Sequence, residues 1–309
     1  MRSRSVLSAG QFSKEQLEKL LETSARIEAH LQNHRQLPLL EEYVLATLFF
    51  EPSTRTRLSF ESAMHRLAGR IISTVGVQFS SLAKGESLYD TLKMIEAYAD
   101  ICAIRHPVEG ASAIAARNIS IPVINAGDGA GEHPTQALLD LYTIRKHHSL
   151  AEKTVTVAFV GDIRYGRTIH SLLQMLANFP VEMIFISPVE IGLPDKYRDF
   201  LKNKKIKIVE TEDIAALREA QVAYVTRIQE ERFPDPREFE KFKDSYIIDR
   251  EMVGKCRPDL IVMHPLPRLS EISLDVDDLP NAVYFEQAEN GLYTRMSLLL
   301  DLLDVPFVG

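Results

Sequence analysis

The sequence predicts an α/β protein made of two doubly wound parallel-sheet domains. Short apolar runs typical of buried strands alternate with amphipathic segments typical of helices, which is the pattern of a parallel sheet covered on both faces. The alternation pauses at the polar patch 147–149 and then restarts, and a length of 309 residues suits about two domains. We expect one domain over residues 1–148, a second over 149–291, and a C-terminal helix, about 292–309, that packs back on the first.

The individual elements follow from apolar periodicity and from helix start and stop signals. Ser13 and Gln16 have the spacing of a capping box ahead of a leucine-rich helix. Further helices are predicted after Ser53, with a stop at Gly69, and at 87–98, 134–147, 167–178 and 292–303. Strands are predicted at 45–50, 71–75, 101–104, 121–125, 155–160, 183–186, 206–209, 222–225 and 260–263. The charged segment 230–242, which contains two prolines, is predicted to be a mobile loop.

Composition excludes several functional classes. The formal net charge is −7, which does not suggest a nucleic-acid partner, and no apolar run approaches the roughly 20 residues of a membrane span. The two cysteines, Cys102 and Cys256, lie in or near apolar runs, so a reduced, cytoplasmic protein with thiols packed in its core is the simple expectation. No metal-ligand cluster or flavin motif is visible, and we expect no cofactor.

The stretch from Ser53 to Arg57 is the strongest functional signal. It joins a predicted buried strand to a predicted helix and places two arginines and three hydroxyl residues in a row. A helix N-terminus offers unpaired backbone N–H groups and the positive end of the helix dipole, so this turn is suited to phosphate. The alternative is that Ser53 only caps the helix and the arginines are solvated, but capping needs one such residue rather than five.

Other polar segments also follow predicted strands, where the ligand site of a doubly wound sheet lies. A cleft between the two domains is therefore the expected active site. Arg105 ends one strand, His133 and Gln136 open a helix after a glycine-rich turn, and Lys84 lies in a flexible loop that also contains Ser80. In the second domain the candidates are Arg167 at a helix start, Arg227 and Gln229 after a strand, and the segment His264 to Pro267.

The turn from Gly161 to Gly166 invites a dinucleotide-binding interpretation. Its spacing is not G-x-G-x-x-G, and the next predicted strand ends in Ile186 and Ser187 rather than in an acid for a ribose. An NAD-dependent oxidoreductase is therefore a weaker alternative.

These segments, in this order, resemble the aspartate/ornithine carbamoyltransferase family over nearly the whole chain. The match begins with residues 49–61, around Ser53 to Arg57, and continues through Lys84, the His133 to Gln136 motif and the His264 segment. The resemblance implies that carbamoyl phosphate is bound by Ser53, Thr54, Arg55, Thr56, Ser80, Arg105, His133, Gln136, Pro265 and Leu266. It implies that the second substrate is bound by Lys84, Arg167, Arg227, Gln229 and Leu266, and that Arg55, Thr56, Lys84, Arg105 and His133 are catalytic.

The cation count favours aspartate as the carbamoyl acceptor. Arg167, Arg227, Gln229 and Lys84 suit a dianion and would repel the ammonium group of ornithine. The ornithine branch is also expected to carry a His-Cys-Leu-Pro segment where this chain has His264-Pro265-Leu266-Pro267. The implied activity is carbamoyl transfer from carbamoyl phosphate to aspartate in pyrimidine biosynthesis. The alternatives are a carbamoyltransferase for ornithine or another amine and a non-catalytic paralogue.

The resemblance also implies partners. Ser80 and Lys84 match a family loop that reaches into the site of a neighbouring subunit, so we expect a homotrimer with shared sites. Regulatory chains that join two trimers are a possible further partner, and the sequence leaves this open.

Overall fold

The computed structural model describes residues 4–76, 81–228, 241–242 and 245–307. The chain forms two compact units: unit 1 contains the residues up to Tyr142 and those from Glu289 onward, and unit 2 is Thr143–Ala288. Each unit contains a sheet in which every strand pairs in parallel. The prediction of two parallel-sheet domains is confirmed.

Unit 1 contains a four-stranded sheet in the order β2-β1-β3-β4. Its strands are β1 (Val44–Phe49), β2 (Arg70–Val75), β3 (Ile101–His106) and β4 (Val123–Asp128). The accompanying helices are α1 (Lys14–Asn33), α2 (Thr54–Arg66), α3 (Leu88–Tyr98), α4 (Ala111–Asn118) and α5 (Pro134–His147), whose last turn belongs to unit 2.

Unit 2 contains a five-stranded sheet in the order β7-β6-β5-β8-β9. Its strands are β5 (Val155–Val160), β6 (Val181–Ile186), β7 (Lys207–Thr211), β8 (Val222–Val225) and β9 (Ile261–Met263). The helices are α6 (Arg167–Leu176), α7 (Asp195–Asn203), α8 (Arg250–Gly254) and α9 (Tyr284–Leu302), which continues into unit 1.

Local sequence explains most element bounds. The predicted capping box at the start of α1 is present, because Ser13 accepts from the Gln16 N–H and the Gln16 side chain accepts from the Ser13 N–H. At the end of α2 the left-handed residue is Ala68, with φ of 62°, and not the expected stop residue Gly69. Gly69 meets a different need, since a Cβ there would lie 2.2 Å from Met64 Cε.

The helices depart from the expected ones in several places. Helix α4 is short and rich in alanine, so it lacks the wide apolar stripe that reveals a helix in a sequence. The mostly charged α7 does carry apolar residues at helical spacing, Tyr197, Phe200 and Leu201, and the sequence analysis missed this signal. The last helix starts at Tyr284, eight residues earlier than expected. The predicted mobile loop lies outside the described residues except at 241–242.

Strand order brings the candidate residues to one edge within each unit. In a parallel sheet all carboxyl ends lie at the same edge, so the segments after β1, β3 and β4 are neighbours in unit 1. In unit 2 the chain reverses direction of winding between β5 and β8, and such a switch point is where doubly wound sheets bind ligands. The predicted cleft between the domains remains a prediction.

Candidate active site

The turn after β1 forms an open anion cradle at the start of α2. Ser53 is the N-cap residue with extended backbone, yet its side chain makes no capping hydrogen bond. Thr54, Arg55 and Thr56 form the first helical turn, where backbone N–H groups have no partner within the helix. The hydroxyl of Ser53 and these N–H groups can therefore turn to a phosphate, which argues against the interpretation of Ser53 as a simple cap.

Arg105 joins this cradle from the end of β3. Arg105 pairs with Phe49 of β1 in the sheet register, and the backbone oxygen of Arg105 accepts from the N–H of Phe50. Arg105 Nε lies 3.3 Å from Glu51 Oε2, and Nη1 donates to the Ala126 carbonyl at 3.4 Å. An incoming anion would compete with the Glu51 carboxylate for this guanidinium. Sequence reasoning missed Glu51 as a site residue, although it directly precedes the Pro52–Ser53 turn.

His133 is buried, with 4% of its surface exposed, just before α5. Its Nδ1 lies 3.3 Å from the backbone N of Gln136 and accepts that N–H. A neutral imidazole whose Nδ1 accepts carries its proton on Nε2. A proton on Nε2 would suit His133 to donate to a carbonyl oxygen, and this role remains a prediction.

Gly127 brings Arg105 and His133 together. It adopts φ of +114°, and a Cβ built on it would lie 2.9 Å from Arg105 Nη1 and 3.4 Å from His133 Cδ2. Both side chains therefore pack against the bare glycine backbone. Only glycine combines this conformation with such a close approach.

Gln136 lies in the first turn of α5, as predicted, and its side chain is partly exposed. Its Nε2 donates to Oδ1 of Asp140 at 2.8 Å, one helical turn later. Asp140 is fully buried and was not identified from the sequence. The i, i+4 spacing of the two residues on a predicted helix is the signal that could have found it.

In unit 2 the turn after β5 supports Arg167. Asp162 is fully buried and its Oδ1 accepts from the N–H of Tyr165 at 2.9 Å, which shapes the turn leading to Arg167, the first residue of α6. Gly161 has φ of +109°, and a Cβ there would lie 2.2 Å from the Thr226 carbonyl oxygen. Its glycine character is thus explained by the close approach of the segment after β8, where Arg227 follows, and needs no dinucleotide.

The segment after β9 is fixed by a buried histidine. His264 Nδ1 accepts from the N–H of Leu266 at 2.8 Å, while Nε2 donates to Glu271 Oε1 at 2.7 Å. Glu271 Oε2 in turn accepts from the N–H of Leu269. Leu266 has φ of +52°, and its bond to Pro267 is cis. The imidazole therefore holds the main chain at Pro265 and Leu266 in one conformation, and Glu271 is a further residue that the sequence did not reveal.

The remaining predicted residues are only partly described. Lys84 ends a 3-10 turn, Ser81–Lys84, and its exposed side chain is followed by Gly85 with φ of +91°. Ser80 and Gln229 lie outside the described residues. Within the parts of the chain that are described, no group of three or more His, Cys, Asp and Glu side chains could hold a metal ion. No helix among them has the length and apolarity to cross a membrane.

Two family models together cover most of the chain. Residues 4–146 match the aspartate/ornithine carbamoyltransferase carbamoyl-P binding domain, and residues 153–302 match the aspartate/ornithine carbamoyltransferase Asp/Orn binding domain. The first match contains the cradle, Arg105 and His133. The second contains Arg167, Arg227 and the His264 segment.

Full-length relatives give the same picture. The chain is 56% identical over 304 residues to the aspartate carbamoyltransferase catalytic subunit of Leptospira biflexa, with 98% of each chain covered. It superposes on the catalytic subunit of Methanocaldococcus jannaschii aspartate transcarbamoylase with a TM-score of 0.90 and 50% identity over 98% of each chain. The Trypanosoma cruzi aspartate transcarbamoylase in complex with carbamoyl phosphate and aspartate gives a TM-score of 0.90 and 35% identity over 96% of each chain.

Proposed function

The chain belongs to the aspartate/ornithine carbamoyltransferase family, and on that premise we propose that it transfers the carbamoyl group of carbamoyl phosphate to the amine of L-aspartate. The products are N-carbamoyl-L-aspartate and phosphate. One observation carries the proposal at the level of the site: Arg105 and a His133 that carries its proton on Nε2 both pack on Gly127, at the sheet edge that also carries the α2 cradle. The relatives named above have the same activity in their names.

Carbamoyl phosphate is bound as an anion. Its phosphate lies at the N-terminus of α2 with Ser53, Thr54, Arg55 and Thr56, and Arg105 exchanges part of its contact with Glu51 for the phosphate. The carbamoyl NH2 group is held by Gln136 and by the main chain at Pro265 and Leu266.

The reaction is a nucleophilic addition followed by elimination at the carbamoyl carbon. The neutral aspartate amine forms a C–N bond with this carbon and gives a tetrahedral intermediate. The bond from carbon to the phosphate oxygen then breaks with its electron pair leaving on phosphate, and the proton that the amine loses passes to the departing phosphate. Arg105, Thr56 and the Nε2–H of His133 stabilise the negative charge on the carbonyl oxygen in the tetrahedral intermediate. Holding the two anionic substrates in contact contributes much of the rate enhancement, because they repel each other in water.

Aspartate is the favoured acceptor. Its two carboxylates are bound by Arg167, Arg227 and Gln229, with Lys84 and the main chain at Leu266. The relatives reported above are named for aspartate and not for ornithine. By its reaction, the protein acts in pyrimidine biosynthesis, and we propose that it works in the cytoplasm.

We further propose a homotrimer in which Ser80 and Lys84 of one subunit complete the site of its neighbour. Support comes from the family and from the exposed position of Lys84 on its own chain. Relatives named as catalytic subunits are consistent with further, regulatory partner chains.

A product assay tests the reaction itself. Purified protein receives carbamoyl phosphate with either aspartate or ornithine, and the ureido product is identified by mass. We expect carbamoyl-aspartate alone. Citrulline would refute the assignment of the acceptor, and no product from folded protein would refute the activity.

The shared site is tested with hybrids. Arg55→Ala and Lys84→Ala proteins are each expected to be nearly inactive, because each loses a cation that binds an anionic substrate. If Lys84 acts across a subunit boundary, a mixed oligomer contains some sites with both wild-type residues and recovers part of the activity. Hybrids shown to have formed but without activity would place both residues in one chain's site.

A further inference from the structure

The Asp140 carboxylate that accepts from Gln136 is buried, and its charge acts on the buried guanidinium of Arg295. Asp140 has no exposed surface, and Arg295 of α9 is 97% buried. Burial lowers the pKa of Arg295 to about 10, while the charge of Asp140 raises it, so the guanidinium is protonated at neutral pH. Buried ion pairs contribute little net stability compared with apolar residues of the same size. The presence of two buried charged side chains, one of them hydrogen-bonded to a substrate-binding amide, therefore points to a role other than stability.

Arg295 is held in place by three neighbours. Its Nη1 donates to Ser59 Oγ at 2.8 Å, and its guanidinium lies 5.0 Å from the centre of the Phe60 ring. Gly291, one turn earlier on α9, leaves the necessary space, since a Cβ there would lie 2.3 Å from Arg295 Nη1. Ser59 and Phe60 belong to α2, which carries the phosphate cradle, so Arg295 is attached to that helix.

Asp140 determines which end of the Gln136 amide faces the substrate. An ionised carboxylate only accepts hydrogen bonds, so Gln136 must present its NH2 group to Asp140, at the observed distance of 2.8 Å. The amide oxygen then points away from Asp140 and can accept a hydrogen bond. With the opposite orientation, the Gln136 NH2 group would face the NH2 group of carbamoyl phosphate, and two donors would meet.

We infer that Asp140 is a positioning residue that fixes the Gln136 amide and thereby selects a donor group, NH2, on the carbonyl carbon of the first substrate. This inference rests on the proposed function. It concerns the discrimination between carbamoyl phosphate and acyl phosphates that have an apolar group at the same place. Asp140 orients Gln136, and Gln136 contacts the substrate, while Arg295 supplies a buried positive charge that acts on Asp140.

The test compares two ligands that differ at this group. Acetyl phosphate replaces the NH2 of carbamoyl phosphate by a methyl group and serves as a competitive inhibitor. In Asp140→Asn the new amide can donate to Gln136, so both orientations of Gln136 become available. We expect the KM for carbamoyl phosphate to rise roughly tenfold, the effect of one hydrogen bond. The inhibition constant of acetyl phosphate should change less than twofold.

Two controls separate orientation from general damage. Asp301→Asn makes the same chemical change on α9 at an ion pair with Lys19, and should leave both constants unchanged. In a Gln136→Ala background, Asp140→Asn should have no further effect on the ratio of the two constants, because Asp140 acts through Gln136. The inference would be overturned if Asp140→Asn raised the KM for carbamoyl phosphate and the inhibition constant of acetyl phosphate by the same factor. An unchanged KM would overturn it as well.

Asp140→Asn leaves Arg295 buried without its counter-charge and can prevent folding. The double variant Asp140→Asn/Arg295→Met removes both charges and provides the same comparison in a folded protein. Failure of the inference remains distinguishable from failure of the proposed function. If the unmodified protein forms no carbamoyl-aspartate, the proposed function is wrong. If it forms this product and the variants still discriminate between carbamoyl phosphate and acetyl phosphate as the unmodified protein does, only the positioning role is wrong.

Discussion

Replacement of Glu271 by glutamine should destabilise unit 2 far more than its chemical size suggests. The Glu271 carboxylate accepts from His264 Nε2 with one oxygen and from the N–H of Leu269 with the other. Glutamine has a single acceptor oxygen, so its NH2 group must face one of these donors. A change of the His264 tautomer would not restore the hydrogen bonds, because a proton on Nδ1 would then face the N–H of Leu266.

The expected loss of stability is large because both side chains are buried. The side chain of His264 is 1% exposed and that of Glu271 is 10% exposed, so water cannot replace the lost partner. A hydrogen bond to a charged group contributes about 1.5–3 kcal/mol, and an unsatisfied buried donor costs a similar amount. We expect the free energy of unfolding to fall by about 2–3 kcal/mol, which corresponds to a shift of roughly 1 M in the urea midpoint.

The assay is urea unfolding followed by circular dichroism, with KM for carbamoyl phosphate measured in parallel. The matched control is Glu251→Gln on α8, whose carboxylate is 76% exposed and pairs with Lys255, and whose loss should cost under about 1 kcal/mol. Since His264 holds Leu266, the KM should rise in Glu271→Gln and not in the control. Equal urea midpoints for the two variants would refute the reasoning.

The same variant predicts a pH dependence. Burial tends to raise the pKa of Glu271, but the hydrogen bonds from His264 and from backbone N–H groups outweigh it and lower the pKa below its usual value. A lowered folded-state pKa gives stability that is present above the unfolded pKa and is lost as pH falls through the folded one. The difference in the free energy of unfolding between the wild type and Glu271→Gln should therefore become smaller as the solution is acidified below about pH 4.

Two further predictions concern a glycine and the thiols. Gly127→Ala should lower kcat roughly 100-fold, because the new methyl group displaces Arg105, whereas Gly254→Ala, where a Cβ meets nothing within 4 Å, should keep its kcat; equal kcat values would contradict the site geometry. Burial raises the pKa of Cys102 to about 12, so a thiol reagent at pH 8 should label at most Cys256 in the folded protein and both thiols in urea. Rapid labelling of two thiols in the folded protein would show that β3 is not buried.

Much of the fold could be predicted because local signals agree with tertiary burial. Strands β5 and β8 and helix α5 have the expected bounds, since the two strands are largely buried apolar runs and the helix starts at a proline. Helix α4 could not be found in this way, because it is short and rich in alanine and has no wide apolar face. Helix α7 was missed although Tyr197, Phe200 and Leu201 give it an apolar face, because charged residues fill most of its other positions.

The candidate site divides in the same manner. Residues in contiguous motifs, such as Ser53 and His133, could be identified because the motif itself resembles a known family. Glu271 and Arg295 could not, because their partners lie 7 and 155 residues away, and a polar residue at such a distance carries no local signal. Their functions depend on burial, which only the folded chain reveals.

The discontinuity of unit 1 has a consequence for the order in which the protein is made. Ribosomes extend chains from the N-terminus, so Asp140 is synthesised well before Arg295, and the whole of unit 2 is produced in between. Until α9 is complete, the nascent unit 1 lacks the buried cation that interacts electrostatically with this carboxylate. Unit 2, whose residues are contiguous, can fold first. Unit 1 can complete its folding only after the last 21 residues have been synthesised. Ribosome-bound intermediates stalled before residue 289 should therefore have a protease-sensitive unit 1 beside a resistant unit 2.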